Sequence, residues 1–350
     1  MVRFTVLASG SKGNSAVVTS VSGTGGSTRI LVDAGLSCRE LFRRMRQAGE
    51  EPESLDAIVI THEHQDHING LAVTARRLGI PVYFTEATHR AWIRQITPQR
   101  RISYAEWLAQ YKASGKQTPQ YAAPHPPHPD PEPDPDPAPE PDPVPDPLPQ
   151  PEVAAEHVSP DRVSADCAQT ARVSADRISA DPASLPAVHY FRPGERFSIG
   201  SIQVDPFTIP HDAADPVGFV FTAEGVRLAV ATDLGYMPPN VKAQLRRCDL
   251  MLLESNHDLE MLRDGPYPWS VKQRVLSRVG HLSNDACAQF FEQDYDGRAT
   301  YLILGHLSES NNMPELARMA AERALCSHPS LLGNHLHLAQ QHEPLASICL

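Results

Sequence analysis

Residues 61–67 read Thr-His-Glu-His-Gln-Asp-His, so His62, His64, Asp66 and His67 crowd together directly after the apolar run from Leu55 to Ile60. Such a run reads as a strand whose end delivers four candidate metal ligands into one turn. Imidazole nitrogen and carboxylate oxygen are what zinc, manganese or iron(II) accept. Four of them exceed what one catalytic ion with an open position would use. Two adjacent metals are the natural reading, against a polar surface loop in a chain that has 16 histidines. The zincin motif HExxH is only a near miss, because His62 and His64 stand two apart and would diverge on a helix.

A chain of 350 residues with 41% apolar content can build a sizeable core. Its 33 prolines are the anomaly. They concentrate between Thr118 and Pro186, and residues 124–156 approach a Pro-Asp/Pro-Glu alternation without a single Lys or Arg. Proline removes donors and this composition offers little apolar area, so 118–185 is expected to be a disordered, low-complexity insertion. Within it Arg162-Val-Ser-Ala-Asp166 recurs nearly unchanged from Arg172 and from Arg177, at a spacing too short and irregular for a solenoid. Residues 124–156 carry nine of the acidic side chains, so the net charge of −11 falls to about −2 for the remainder. A near-neutral folded part permits a phosphate-bearing substrate but lacks the basic footprint of a dedicated nucleic-acid binder.

Cys38, Cys167, Cys248, Cys287, Cys326 and Cys349 show no paired spacing, which suggests free thiols in a reducing compartment. The apolar run at the N-terminus is short for a signal peptide, and no run reaches about 18 residues, so a soluble cytoplasmic protein without membrane contact is expected.

Strands are expected over 3–8, 17–21 and 29–33 as an antiparallel meander, with a helix from Ser37 closed by Gly49. The chain returns through Ile58 to Ile60, and a helix over 68–78 and a strand over 81–84 follow. Beyond the insertion, 197–200 and 202–207 read as strands, 217–221 and 226–231 as a hairpin-like pair, and 250–253 and 300–304 as further strands. Strands alternating with helices indicate an α/β domain. His211, Asp233, Glu254 and His306 each stand just past an apolar strand, as His62 does. Several strand ends could therefore carry polar groups to one rim.

At this point the residues resemble the metallo-β-lactamase superfamily, a four-layer αβ/βα sandwich of two similar halves. The resemblance rests on Val-Asp33-Ala-Gly35, the HxHxDH run at 62–67, His211, Asp233 in Ala-Thr-Asp-Leu-Gly235, and His306. It implies one domain made of 1–117 and 186–350, with the insertion looping out near a helical region from Trp92 to Lys112. It further implies that His62, His64 and His211 hold one ion, Asp66, His67 and His306 the other, and that Asp233 bridges them. The two divalent ions, zinc or manganese with iron as an alternative, would share a hydroxide and polarise the substrate. Asp33 would orient a ligating histidine rather than ligate, and Asp66 would also orient the hydroxide.

Finer motifs resemble the YycJ/WalJ group: Leu7-Ala-Ser-Gly-Ser-Lys-Gly-Asn-Ser15, Leu253-Glu-Ser-Asn-His-Asp258, Gly265-Pro-Tyr-Pro268, Gly280-His-Leu-Ser-Asn284, His306-Leu-Ser-Glu-Ser-Asn-Asn312 and a closing strand over 336–341. That group implies a bacterial cytoplasmic phosphodiesterase acting on nucleic acid, with 5′-to-3′ DNA exonuclease activity foremost and RNA as an alternative. Glu254 and Gly280-His281-Leu-Ser283 are similar in order and spacing to features of tRNA 3′-processing and RNase J-type nucleases, where a carboxylate and a histidine flank the metals. A phosphodiester's leaving oxygen is strongly basic unless protonated or metal-bound, so a His held by a carboxylate suits the role of general acid. His281 could instead belong to the cap of a helix starting at Asn284. Ser308, Asn311 and Asn312 could bond phosphate oxygens or merely cap the helix from Pro314. The rival functions are a small-molecule phosphodiesterase, a thioester or lactone hydrolase on the same fold, and a scaffold with a purely structural metal site. The insertion could recruit a protein partner.

Overall fold

The apolar runs become two seven-stranded sheets with one plan. In the computed structural model, which describes residues 1–23, 25–97, 184–326 and 333–350, the first sheet contains β1 (Val2–Ala8), β2 (Ser15–Val21), β3 (Ser27–Val32), β4 (Ala57–Val59), β5 (Val82–Phe84) and β6 (Val188–Tyr190). The second contains β7 (Phe197–Ile199), β8 (Ile202–Thr208), β9 (Val217–Ala223), β10 (Val226–Ala231), β11 (Leu250–Glu254), β12 (Tyr301–Gly305) and β13 (His335–Leu338). β14 (Ile348–Cys349) returns to the first sheet beside β1, giving the orders β14-β1-β2-β3-β4-β5-β6 and β13-β12-β11-β10-β9-β8-β7. Each sheet starts as an antiparallel meander and turns parallel, at β3–β4 in the first and at β10–β11 in the second.

Period-two alternation decides which side chains face which layer. Phe4, Ile30 and Val32 of the first sheet meet Phe219, Leu228, Val230, Leu250 and Leu252 of the second in one core between the sheets. The intervening residues face helices. Leu31 and Ile58 pack with Leu41, Phe42 and Met45 of α1 (Cys38–Gln47), while Ala229, Met251 and Leu253 pack with Phe290, Phe291 and Ala321 from the helices Asn284–Gln293 and Pro314–Leu325. Two sheets with helices outside both make the four-layer sandwich. The hairpin between β9 and β10 turns at Glu224 and Gly225, both at positive φ as the two-residue turn demands.

Four elements depart from expectation. The helix expected over 68–78 is two helices, α2 (Gln65–Ile68) and α3 (Leu71–Leu78). The break lies at Gly70, whose N–H bonds the Ala34 carbonyl at 2.8 Å and where a Cβ would collide with the Leu36 carbonyl. β6 and β14 carry no legible pattern, because one is a three-residue polar edge and the other only two residues long. The closing strand spans His335–Leu338 rather than 336–341.

The chain divides into one unit of Met1–Pro98 with Ser179–Leu350, and a second of Gln99–Ile178. The expected insertion at 118–185 falls outside the described residues except for 184 and 185. The expected helical region from Trp92 begins within α4 (Glu86–Ile96) and otherwise lies outside them too. The five described cysteines are free thiols. No helix among the described residues is long and apolar enough to cross a membrane.

Candidate metal centre

Parallel register brings the strand ends level. Val32 pairs with Val59, Ala231 with Leu253 and Glu254 with Gly305, so the residues that follow leave the two sheets together along one edge. Asp33, Asp233 and His306 sit there at φ of 58, 63 and 56, a conformation that non-glycine residues adopt at a cost and that concentrates at functional sites. Asp33-Ala-Gly35 and Asp233-Leu-Gly235 are counterparts in the two halves. A Cβ on Gly35 would strike the Asp66 carbonyl, and one on Gly235 the Arg278 carbonyl. The first half thus clamps the loop after its meander against the Asp66 segment, and the second half against the segment leading into His281.

The expected ligands converge. His62, His64 and His211 form one group, Asp66, His67 and His306 a second, and His62, His67 and Asp233 a third, with the ligand atoms of each within 4.8 Å of one another. Asp233 stands between the first two groups. Its carboxylate lies 3.3 Å from His67 Nε2, 3.5 Å from His306 Nδ1 and 3.9 Å from His211 Nε2. His62 and His67 are fully buried, and Asp233 and His306 are nearly so.

Hydrogen bonds behind the rings choose the nitrogen each presents. Nδ1 of His67 meets Asp33 Oδ2 at 2.8 Å, that of His306 meets Glu254 Oε1 at 2.8 Å, that of His211 the Gly280 carbonyl at 3.1 Å, and that of His62 the Thr61 hydroxyl at 3.0 Å. The four Nε2 atoms are turned to the centre, those of His62 and His306 without a partner and that of His67 beside the Asn14 amide nitrogen. His64 faces inward with Nδ1, 3.2 Å from His211 Nε2. His62 Nε2, His306 Nε2 and Asp233 Oδ2 are buried without a hydrogen-bond partner, a state that costs stability unless something electrophilic fills it. This donor set of imidazoles and carboxylates around orphaned atoms suits divalent cations.

Electrostatics point the same way. Burial opposes charge on His67 and His306, yet Asp233 and the other nearby carboxylates raise both well above the ordinary imidazole value. Burial likewise opposes ionisation of Asp233, but His306 and His67 hold it well below the usual carboxylate range. His62 is lowered, first by burial and then by His67. The fold concentrates anions here and, without metal, recruits protons to balance them.

Asp33 lies behind His67, fixed by the Thr61 N–H and hydroxyl at 2.8 Å each. Glu254, fully buried, accepts from His306 and from His281 Nδ1 at 2.8 Å and from the Leu234 N–H. Against its burial, His281 and His306 keep Glu254 down at about 2. His281 lines a pocket of about 470 Å³ with His64, Asp66, Asp233, His306 and Ser308. The helix behind it is capped by Ser283, whose hydroxyl accepts from the Ala286 N–H. Ser308 therefore reaches the pocket, whereas Asn311 and Asn312 are not brought to it. Asn312 is buried with its amide bonded to the Ser255 and Asn256 carbonyls and Asn284, and Asn311 packs against the Ser308 hydroxyl. Neither caps the final helix through its side chain, since the capping position is Met313.

Sequence reasoning passed over Asn14, whose amide nitrogen sits 3.1 Å from Asp66 Oδ2 and 3.0 Å from His67 Nε2. Its place in the small-residue turn 9–15 was the available signal. It also passed over Asp212 and Arg274, 62 residues apart and joined by two hydrogen bonds. Their separation left no signal to read.

With the geometry established, comparison with known proteins is direct. A family model described as a beta-lactamase superfamily domain matches residues 28–115 and 150–328. The exodeoxyribonuclease YycJ of Bacillus anthracis is 31% identical over 324 residues, covering 93% of this chain and 89% of that one. The exodeoxyribonuclease WalJ of Streptococcus pneumoniae is 29% identical over 317 residues, covering 91% and 86%. Among solved structures, Zn(2+)-bound PqqB from Methylobacterium extorquens shares the fold at a TM-score of 0.56, with 14% identity and coverage of 99% and 100%.

Proposed function

Because the chain belongs to the metallo-β-lactamase superfamily and is YycJ/WalJ-like within it, we propose that it is a metal-dependent hydrolase of phosphodiesters, an exodeoxyribonuclease that degrades DNA from the 5′ end in the cytoplasm. His62, His64 and His211 would hold one divalent ion, Asp66, His67 and His306 a second, and Asp233 both. Zinc or manganese suits this set best. Divalent ions held by these residues would supply Lewis acidity, for activating water at neutral pH and polarising the phosphoryl group.

The chain's own residues supply the rest. The Glu254 carboxylate accepts a hydrogen bond from Nδ1–H of His281, which leaves Nε2 for the pocket. Glu254 is already committed to His306 and the Leu234 N–H, so the imidazole is held in one orientation. A protonated Nε2 there donates to the departing alkoxide, the step a phosphodiester demands and a thioester or lactone needs far less. Asp66, steadied by Asn14, is a carboxylate on the pocket wall that would orient the attacking water. The Glu254–His281 pair is the single observation that carries this reading.

The test is hydrolysis of 5′-labelled duplex DNA, the matching RNA and a chromogenic phosphodiester by protein loaded with zinc or manganese. DNA is expected to be shortened from the 5′ end. His281→Ala should lower kcat by about 10²- to 10⁴-fold while metal content stays at the wild-type level. Wild-type turnover by that variant removes the proposed acid, and hydrolysis of thioesters but no phosphodiester removes the reading.

A further inference from the structure

The helix Trp269–Val275 is the only one among the described helices that buries no residue, so its sequence answers to something other than the core. Val271, Arg274 and Val275, at i, i+3 and i+4, share one face and line the metal pocket together with Tyr267. Across residues 265–280 the chain carries Lys272, Arg274 and Arg278 and no acidic residue, against a net charge of −11 for the whole.

Arg274 is the sole Lys or Arg lining this pocket among the described residues. Its guanidinium is held along one edge, with Nε and Nη2 both donating to the Asp212 carboxylate. Asp212 follows His211, and its N–H bonds the Val279 carbonyl at 3.0 Å, so the arginine's anchor is tied to the metal-site loop. The other edge is open, because Nη1 has no hydrogen bond among the described residues. An ion pair serving only to fasten a helix gains most when sheltered, yet this arginine side chain is 57% exposed.

Resting on the phosphodiesterase reading, we infer that Arg274 is a substrate-binding residue that receives a phosphate of the bound DNA strand on its open Nη1–Nη2 edge while Asp212 aims the guanidinium. Planar, two-point recognition of phosphate is what this side chain does better than lysine. Beside it the pocket presents the carboxylates and imidazoles of the candidate metal centre and neutral polar groups such as Ser11, Asn256, Tyr267 and Ser308, which carry no fixed charge to hold a phosphate. Arg274 supplies the one fixed positive charge on its wall among the described residues.

The test is fluorescence anisotropy of a hydrolysis-resistant phosphorothioate single strand with metal-loaded protein across a salt series, together with steady-state kinetics on ordinary DNA. Arg274→Gln should weaken binding about ten- to hundredfold, as loss of a charge-assisted hydrogen bond does. It should also reduce the slope of log K against log salt by about 0.7, one phosphate contact on a single strand. KM should rise with kcat within threefold, and Arg274→Lys should restore the salt slope but only part of the affinity. Arg263→Ala, an exposed arginine paired with Asp264 on the neighbouring turn, serves as the charge-matched control and should change neither. A wild-type slope and KM in Arg274→Gln overturn the inference and leave the hydrolase reading intact. Failure of the wild-type protein itself to bind or cleave DNA overturns that reading.

Discussion

Asp33 is buried behind His67, where its Oδ2 accepts from the imidazole while the Thr61 N–H and hydroxyl hold the carboxylate in place. Asp33→Asn preserves the shape and removes the charge that would make His67 a basic, correctly turned ligand in the proposed centre. Such partners are typically worth 10- to 100-fold in metal affinity, so about that loss is expected in competition titrations against a chelator. Unchanged affinity would show that the carboxylate does not tune the site. At this scale the ligand run was the most legible part of the chain, because six adjacent positions after a strand carry their own signal. Asn14 and the Asp212–Arg274 pair were not, since a single asparagine in a turn and two charges 62 residues apart look like ordinary surface. Asn312 shows the opposite case: its polarity suggested substrate, but its amide is spent on the Ser255 and Asn256 carbonyls.

Among the elements, the turn after β3 and the short helix α2 determine where the ligands point. Gly35 lets that turn lie against the Asp66 carbonyl and the Asn14 N–H, and nothing larger fits. Gly35→Ala must push the turn off α2, at a cost of roughly 1–3 kcal/mol from overpacking. Urea denaturation of the metal-free protein measures that loss, and metal content should fall because Asp66 and His67 move with the helix. A variant with wild-type stability and metal content would mean the contact is slack. The continuous 68–78 pattern hid the break at Gly70, because apolar periodicity records which face is buried and not where a neighbouring carbonyl interrupts the helix. β6 and β14 were invisible for the complementary reason: their pairing partners, not their own side chains, make them strands.

For the whole molecule, the candidate ligands come from both sheets: His62, His64, Asp66 and His67 from the end of β4, and His211, Asp233 and His306 from the second sheet. Metal bound by this set would tie the two halves together, and an ion held at about a thousand times its Kd adds roughly 4 kcal/mol. Chelation should lower Tm by about 8–16 °C for a domain of this size. The effect should grow with pH. In the metal-free fold His67 and His306 have raised values, so their ion pairs stabilise fully below the unfolded imidazole value of about 6.5 and are lost as pH rises through the higher folded values. Metal binding instead strengthens as imidazoles lose protons. Thermal scans from pH 7 to 9 should show the chelated protein falling while the loaded one holds, and a gap that narrows with pH would contradict this. The sequence by itself determined the α/β class and the ordered polar motifs at strand ends, because strand periodicity and residues following strands are local properties of the chain, and the resemblance to the superfamily rests on those motifs. Only the tertiary structure decided which imidazole nitrogen faces the centre, that Glu254 serves two histidines, and that Arg274 reaches the pocket. Those facts depend on register between strands and on contacts across tens to hundreds of residues, and no local pattern encodes them.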